Sequence, residues 1–487
     1  MSGFKKYLFL GALLLLACHR ENATLSPVAL PPATTVSVRP ARVVKSPQSP
    51  SATSQSNPSR AAKPVSTAPA PESPLSAQDH SDWQAELQEL TLFPITASAE
   101  QTATESPEDL KQALAQVQAA SQAVKLAQVS GNVSIQAAVP VAECGLACRT
   151  EADLAKDLPL NQQQWLGGHN AYNYKGIFKN QYWTIPQQLT AGVRVLELDL
   201  HTRLLSGKVR VCHGASSRDC LLNPFGVKDY APLLKEIKTW SDQHPDQLLI
   251  LELENHVKNE KAVLEPIQSL FGPLIYRADQ RPENWAEETP AQIVARGKRV
   301  IVADFGKNRF DGKWVWDQNE LASNHLSKDF SPDCTVKGQP MAGKRWGFYD
   351  DKTFGKAKPL TAESIPGYLA CNANYLKIDR LNPTLIAARH FAWDTIPAGK
   401  SCASLSANGQ RWQAESCERA LRVACRVEEG WKISAASGDW TQGTEICRRE
   451  FGETASFAPP RNYYQNHQLG QTLAATSSPV WLGYRAP

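Results

Sequence analysis

Val193-Arg194-Val195-Leu196-Glu197-Leu198-Asp199-Leu200-His201 reads as a β-strand whose two faces want opposite surroundings. Glu197, Asp199 and His201 alternate with apolar residues at period two, so these polar side chains leave the backbone on one side. Two carboxylates and an imidazole on an otherwise apolar strand repel or desolvate one another unless a cation, a substrate or water balances them. An edge strand with one solvated face is the ordinary alternative, and the neighbouring sequence weighs against it. Upstream, Gln164-Trp165-Leu166-Gly167-Gly168-His169-Asn170 is an apolar step and a glycine pair before a histidine and a carboxamide. Downstream, Val209-Arg210-Val211-Cys212-His213-Gly214 delivers a histidine into a glycine turn. Leu248-Leu249-Ile250-Leu251-Glu252-Leu253-Glu254-Asn255-His256 then repeats the first pattern. Strand ends carrying Asp, Glu, Asn and His, separated by helix-sized stretches, describe one mouth of an α/β barrel where polar groups converge.

The motifs G-G-H-N, L-E-L-D, C-H-G and L-E-N-H, in this order, resemble the X region of the phosphoinositide-specific phospholipases C over about residues 158–305. The resemblance implies an α/β fold, a distorted TIM (β/α)8-type barrel, assigned here to residues 150–397. It also implies His169 and His213 as the catalytic pair. The metal-free secreted bacterial members place an aspartate after the first histidine and an arginine in the second strand. Here Asn170 follows His169, the second strand offers Glu197 and Asp199, and Arg194 lies on its opposite face. The similarity is therefore to the calcium-dependent form, which makes Asn170, Glu197, Asp199 and Glu254 the ligands of Ca2+. All are oxygen donors, as a hard cation prefers, and four of them leave room in a shell of ~6–8 ligands. The rival for the carboxylates is a salt-bridge cluster with Arg or Lys from later strands. Glu252, His201 and His256 take supporting positions, and Lys352 and Lys377, in the weakly matched half, are candidates for headgroup contact.

The expected activity is calcium-dependent cleavage of phosphatidylinositol or a related glycerophospholipid, giving diacylglycerol and a phosphorylated, cyclic or open, headgroup. It needs a base for the attacking hydroxyl and an acid for the leaving alkoxide, which two histidines can supply near neutral pH. One alternative is another phosphodiesterase on the same barrel, of sphingomyelinase D or glycerophosphodiesterase type. Another is a non-enzymatic surface adhesin.

Lys5 and Lys6 precede an apolar run, Tyr7 to Leu16, that closes on Leu15-Leu16-Ala17-Cys18. That is a signal peptide over residues 1–17 with Cys18 as the lipid attachment point. His19 fits sorting to the outer membrane, so an exported bacterial lipoprotein acting on a phospholipid membrane is expected. Residues 18–80, rich in Pro, Ser, Ala and Thr, bury too little to offset ordering entropy and read as a disordered tether. Residues 81–149 read as a helical spacer, with Ser106-Pro107-Glu108-Asp109 as a helix start. Setting Cys18 aside, ten of the 11 cysteines remain. Sequence order suggests Cys144 with Cys148, Cys212 with Cys220, Cys334 with Cys371, Cys402 with Cys417, and Cys425 with Cys447, fitting an oxidising compartment.

Beyond the carboxylate strands, Pro266 to Leu274 reads as helix and Arg299 to Asp304 as a buried strand. Arg345–Tyr349, Tyr375–Asp379 and Phe391–Asp394 are weaker strand candidates, and residues 306–344 read as a long insertion at the mouth. Residues 398–487 form a disulfide-rich module. Cys402, Gly409, Trp412, Cys417 and Cys425 resemble the closing half of a C-type-lectin-like domain. Trp440, Cys447 and Val480-Trp481-Leu482-Gly483-Tyr484 resemble its opening half, in inverted order. No E-P-N or W-N-D calcium signature accompanies them, so a stapled cap stands beside a module binding a glycan or protein. A net charge of +4 over 487 residues gives no footprint for nucleic acid. No Walker loop or G-x-S-x-G element is present.

Overall fold

The computed structural model describes residues 139–486, except 142, 176–178, 204–206, 214–226, 306–309, 311, 353–357, 397–398, 407–410, 429 and 475–477. The signal segment, Cys18, the tether and the Ser106 helix start lie outside the described residues. The wall of the barrel consists of β1 (Trp165–Gly168), β2 (Val195–Thr202), β3 (Leu249–Asn255), β4 (Val300–Asp304), β5 (Trp316–Asp317), β6 (Ser323–Leu326), β7 (Trp346–Tyr349) and β8 (Tyr375–Ile378). These strands are parallel and lie in the order β5-β4-β3-β2-β1-β8-β7-β6. The wall follows chain order and closes β1 on β8. No hydrogen-bonded pairing joins β5 to β6 among the described residues, so this distorted TIM-type barrel carries one open seam.

β1, β3 and β4 are buried almost end to end, as expected of parallel strands covered by helices. Helix Ile185–Thr190 starts from a Thr184–Gln187 capping box with proline in its first turn. Helix Glu260–Phe271 turns Val263, Ile267 and Phe271 onto the wall at helical spacing. It begins before the expected Pro266, and Gly272–Leu274 tightens into a 3₁₀ turn. No helix among the described residues is long and apolar enough to cross a membrane.

Three sequence expectations change. Val209–Val211 is not a wall strand: it pairs antiparallel with Leu200–Thr202, the part of β2 that projects past the wall. Phe391–Asp394 is not a strand but a connection whose rings pack on the C-terminal module, with Trp393 and Trp412 centroids 5.6 Å apart. The insertion over 306–344 holds β5 and β6, too short to show a period, and a three-stranded antiparallel ribbon.

The C-terminal module is one sheet in the order β10-β9-β13-β11-β12, built from β9 (Cys402–Leu405), β10 (Gln413–Glu415), β11 (Leu421–Val427), β12 (Gly430–Gly438) and β13 (Val480–Arg485). Its last strand thus inserts between two early ones. The disulfides Cys144–Cys148, Cys334–Cys371, Cys402–Cys417 and Cys425–Cys447 form as expected. Cys212 is disulfide-bonded, and Cys220 lies outside the described residues.

The module docks at the end of the barrel where strands begin. Asn462 donates to the Gln162 carbonyl at 2.8 Å, and the Tyr464 amide to the Gln164 side chain at 3.1 Å, just before β1. One apolar cluster runs from the wall through Phe391 and Trp412 into Leu469. The buried Glu151 carboxylate pins the connection, accepting from the Phe391 and Ala392 amides at 2.7 and 3.0 Å and lying 2.8 Å from His390 Nδ1. Glu151→Ala leaves both amides without an acceptor and is expected to cost about 3 kcal/mol. Calorimetry should record this as a Tm lower by roughly 6–12 °C.

Candidate active site

The β2–β3 register sets Asp199 beside Glu254 and Glu197 beside Glu252. One carboxylate oxygen each from Glu197, Asp199 and Glu254 lies within 4.8 Å of the others. Glu197 and Asp199 are buried, and Glu254 is half-buried at the strand ends. Asn170 adopts a left-handed backbone (φ 47°) directly after β1. With its nitrogen facing Asp199, the Asn170 carboxamide donates to both carboxylate oxygens at 2.9 Å and lies 3.0 Å from the Tyr172 hydroxyl. The structure thus gathers all four expected ligands.

Burial pushes the Asp199 carboxyl well above its ordinary range, and Glu254 and Glu197 add to the push. Burial also raises Glu197, against the pull of Lys377 and His169. Burial raises Glu254 too, but His256, with Nε2 2.9 Å from its carboxylate, brings it below the usual value. Facing carboxylates that destabilise one another's charge and offer oxygen ligands suit a hard divalent cation.

His169 caps β1 from the same end. Its Nδ1 lies 2.9 Å from Asp379 Oδ1, which also accepts from Asn180 Nδ2 at 2.9 Å. Asp379 Oδ2 accepts from the Lys352 amide at 2.8 Å. Burial disfavours the imidazolium, but Asp379 and Glu197 outweigh it and carry His169 up to about 10. Burial lowers His213, and the charge on His169 lowers it further. His213 follows Cys212, whose amide donates to the Asp199 carbonyl at 3.0 Å. At neutral pH this pair therefore combines a protonated His169 with a neutral His213.

Other candidates take different places. Lys377 is not a headgroup contact: its side chain is 1 % exposed, with Nζ 3.2 Å from Glu197 and 2.8 Å from Glu252. The rival salt-bridge cluster therefore exists, but around Glu197 and Glu252, below the Asp199–Glu254 pair. Gly167 makes the room, since a Cβ there would meet Lys377 Cγ at 2.6 Å. Lys352 is not free for a headgroup either; its amine sits 2.8 Å from the Asp379 carbonyl and 3.1 Å from Asp350. His256 supports Glu254, and His201 stacks on His256 with centroids 4.5 Å apart. Glu252 accepts from Asn324 at 2.6 Å. Asp379, Asn180 and Tyr172 were missed from sequence. The available signal for Asp379 was a carboxylate closing the candidate strand Tyr375–Asp379.

Residues 122–330 match the family described as the Rv2075c PI-PLC-like domain. That stretch is similar to a PI-PLC-like domain. An uncharacterized protein of Mycobacterium tuberculosis, Rv2075c, is 28% identical over 390 residues, covering 70% of this chain and 79% of the relative. A PI-PLC X domain-containing protein of Arabidopsis thaliana, At5g67130, is 25% identical over 181 residues, 34% of this chain and 40% of that protein. Among solved structures, the phosphatidylinositol-specific phospholipase C of Listeria monocytogenes is 14% identical at a TM-score of 0.35, covering 50% of this chain and 98% of its own. A calcium-dependent phosphoinositol-specific phospholipase C from Pseudomonas sp is 16% identical at a TM-score of 0.31, over 49% of this chain and 94% of its own. The site residues are assigned from the geometry above, not from these two structures.

Proposed function

We propose that the chain is a calcium-dependent phosphodiesterase of the phospholipase C type, acting on phosphatidylinositol or a related glycerophospholipid. The observation that carries this reading is the convergence of the Glu197, Asp199 and Glu254 oxygens within 4.8 Å, beside the Asp379-bound His169 at the end of β1, with His213 one residue past the Cys212 amide that donates to the Asp199 carbonyl at 3.0 Å. Asn170, Glu197, Asp199 and Glu254 would hold the cation, Asn170 by turning its oxygen inward. When bound, the cation supplies charge stabilisation at the non-bridging phosphate oxygens and a more acidic attacking hydroxyl.

The protein's own groups handle the protons. A neutral imidazole takes the proton of the headgroup hydroxyl as its oxygen bonds to phosphorus. A charged imidazole gives one to the departing diacylglycerol oxygen as the old phosphorus–oxygen bond breaks. Asp379 fixes which His169 nitrogen faces the reaction, because Nδ1 is taken by the carboxylate. Disulfides throughout the described domains fit an oxidising compartment outside the cytoplasm. A lipid anchor at Cys18 would keep the enzyme near a membrane substrate. The test is release of phosphorylated headgroup from phosphatidylinositol vesicles with calcium present and after chelation. Calcium-dependent release supports the reading, and no release under either condition defeats it. Headgroup profiling by mass spectrometry separates it from the other phosphodiesterase types.

A further inference from the structure

We infer that Lys377 is a positioning residue for the cation group: its ammonium holds one oxygen of Glu197 inside the barrel and leaves the other for the cation. This rests on the calcium reading above. Lys377 comes from β8, Glu197 from β2 and Glu252 from β3, so the three strands meet through one buried ammonium. Nζ lies 3.2 Å from Glu197 Oε2 and 2.8 Å from Glu252 Oε2. Phe305 and Tyr349 flank it, with ring centroids 5.0 and 5.3 Å from Nζ. Those rings bring no competing acceptor stronger than a π face. The second Glu252 oxygen is taken by Asn324 at 2.6 Å, so Glu252 is fully engaged below the cation group. Glu197 is the member common to both sets, since it also lies within 4.8 Å of the Asp199 and Glu254 oxygens.

Room for the lysine is built into the neighbouring strand. Gly167 pairs with Lys377 in register, and any Cβ there would strike the lysine stem. A carboxylate among other carboxylates tends to swing away from them. An ammonium fixed on the far side opposes that swing and keeps the group assembled before a cation arrives.

The charge arithmetic makes the test decisive. Removing a cation near the site should tighten calcium binding by Coulomb's law, whereas loss of positioning should weaken it. Lys377→Met with Glu252→Gln removes one positive and one negative charge, so the site's net charge is unchanged and position alone is read. The probe is calcium itself, titrated calorimetrically into the full chain, with Tm of the calcium-free protein recorded alongside. The double variant is expected to bind calcium about 10- to 100-fold more weakly than wild type, the usual cost of losing a residue that orients a ligand. Glu252→Gln alone keeps the Lys377–Glu197 pair and is expected to stay within about threefold of wild type. Unchanged or tighter binding in the double variant overturns the role of Lys377. So does a loss of about tenfold or more in Glu252→Gln alone, which also decides the matter should the double variant fail to fold. A wild type that binds no calcium defeats the calcium reading itself, a different result from either.

Discussion

Alanine at position 213 is expected to lower kcat/KM for phosphatidylinositol cleavage by about 100- to 10,000-fold. Calcium affinity should stay within about threefold and Tm nearly unchanged, because His213 is half-buried and outside the oxygen-donor group. The size of the effect follows from the opposite proton states of His213 and His169. Burial and the neighbouring charge keep His213 below its ordinary pKa, so it is neutral at the pH where His169, held by Asp379, is protonated. Removing one partner leaves the other without the complementary protonation state, and general acid–base catalysis is lost rather than shared. Equal turnover by wild type and His213→Ala, at equal calcium occupancy, would show that the imidazole pair does not carry the reaction.

Asn at position 199 is expected to move stability and calcium binding in opposite directions. Asp199 has a carboxyl raised well above the ordinary range, through burial and then Glu254 and Glu197. A group raised in the fold contributes stability below its unfolded pKa and loses it as pH rises through the folded value. Metal-free Asp199→Asn should therefore be more stable than wild type at pH 7, by roughly 2–8 °C in Tm for about 1–2 kcal/mol. The difference should vanish near about pH 4, where the wild-type carboxyl is neutral. Calcium should raise the wild-type Tm, since a ligand at about 100 times its Kd adds about 2.7 kcal/mol. The variant should show almost no rise. A variant less stable than wild type without calcium, or still stabilised by it, would mean that the three carboxylates are not mutually strained.

Period-two alternation made β2 and β3 legible because both are long enough to show it, and it put Glu197, Asp199, Glu252 and Glu254 on polar faces, while the choice of Glu197, Asp199 and Glu254 as ligands came from the family resemblance. β5 and β6, with two and four residues, are too short for any period. Phe391–Asp394 looked like a strand because its apolar residues serve packing against Trp412. Lys377 was misplaced for a different reason. The alternation shows that it lies on a strand, but only the register with Gly167 shows that its stem crosses the interior. The His169–Asp379 and Asn180–Asp379 bonds join residues 210 and 199 positions apart, a distance over which local pattern carries no information.

The break between β5 and β6 has a bearing on entry. Glu197, Asp199, Glu254, His169 and Asp379 belong to β1, β2, β3, β8 or the residues just after them, the uninterrupted arc of the wall. Widening the break therefore stretches no hydrogen bond on that arc. On the proposed reading, a bulky two-tailed alcohol would leave by that side while the β2–β3 register that sets Asp199 beside Glu254 is kept.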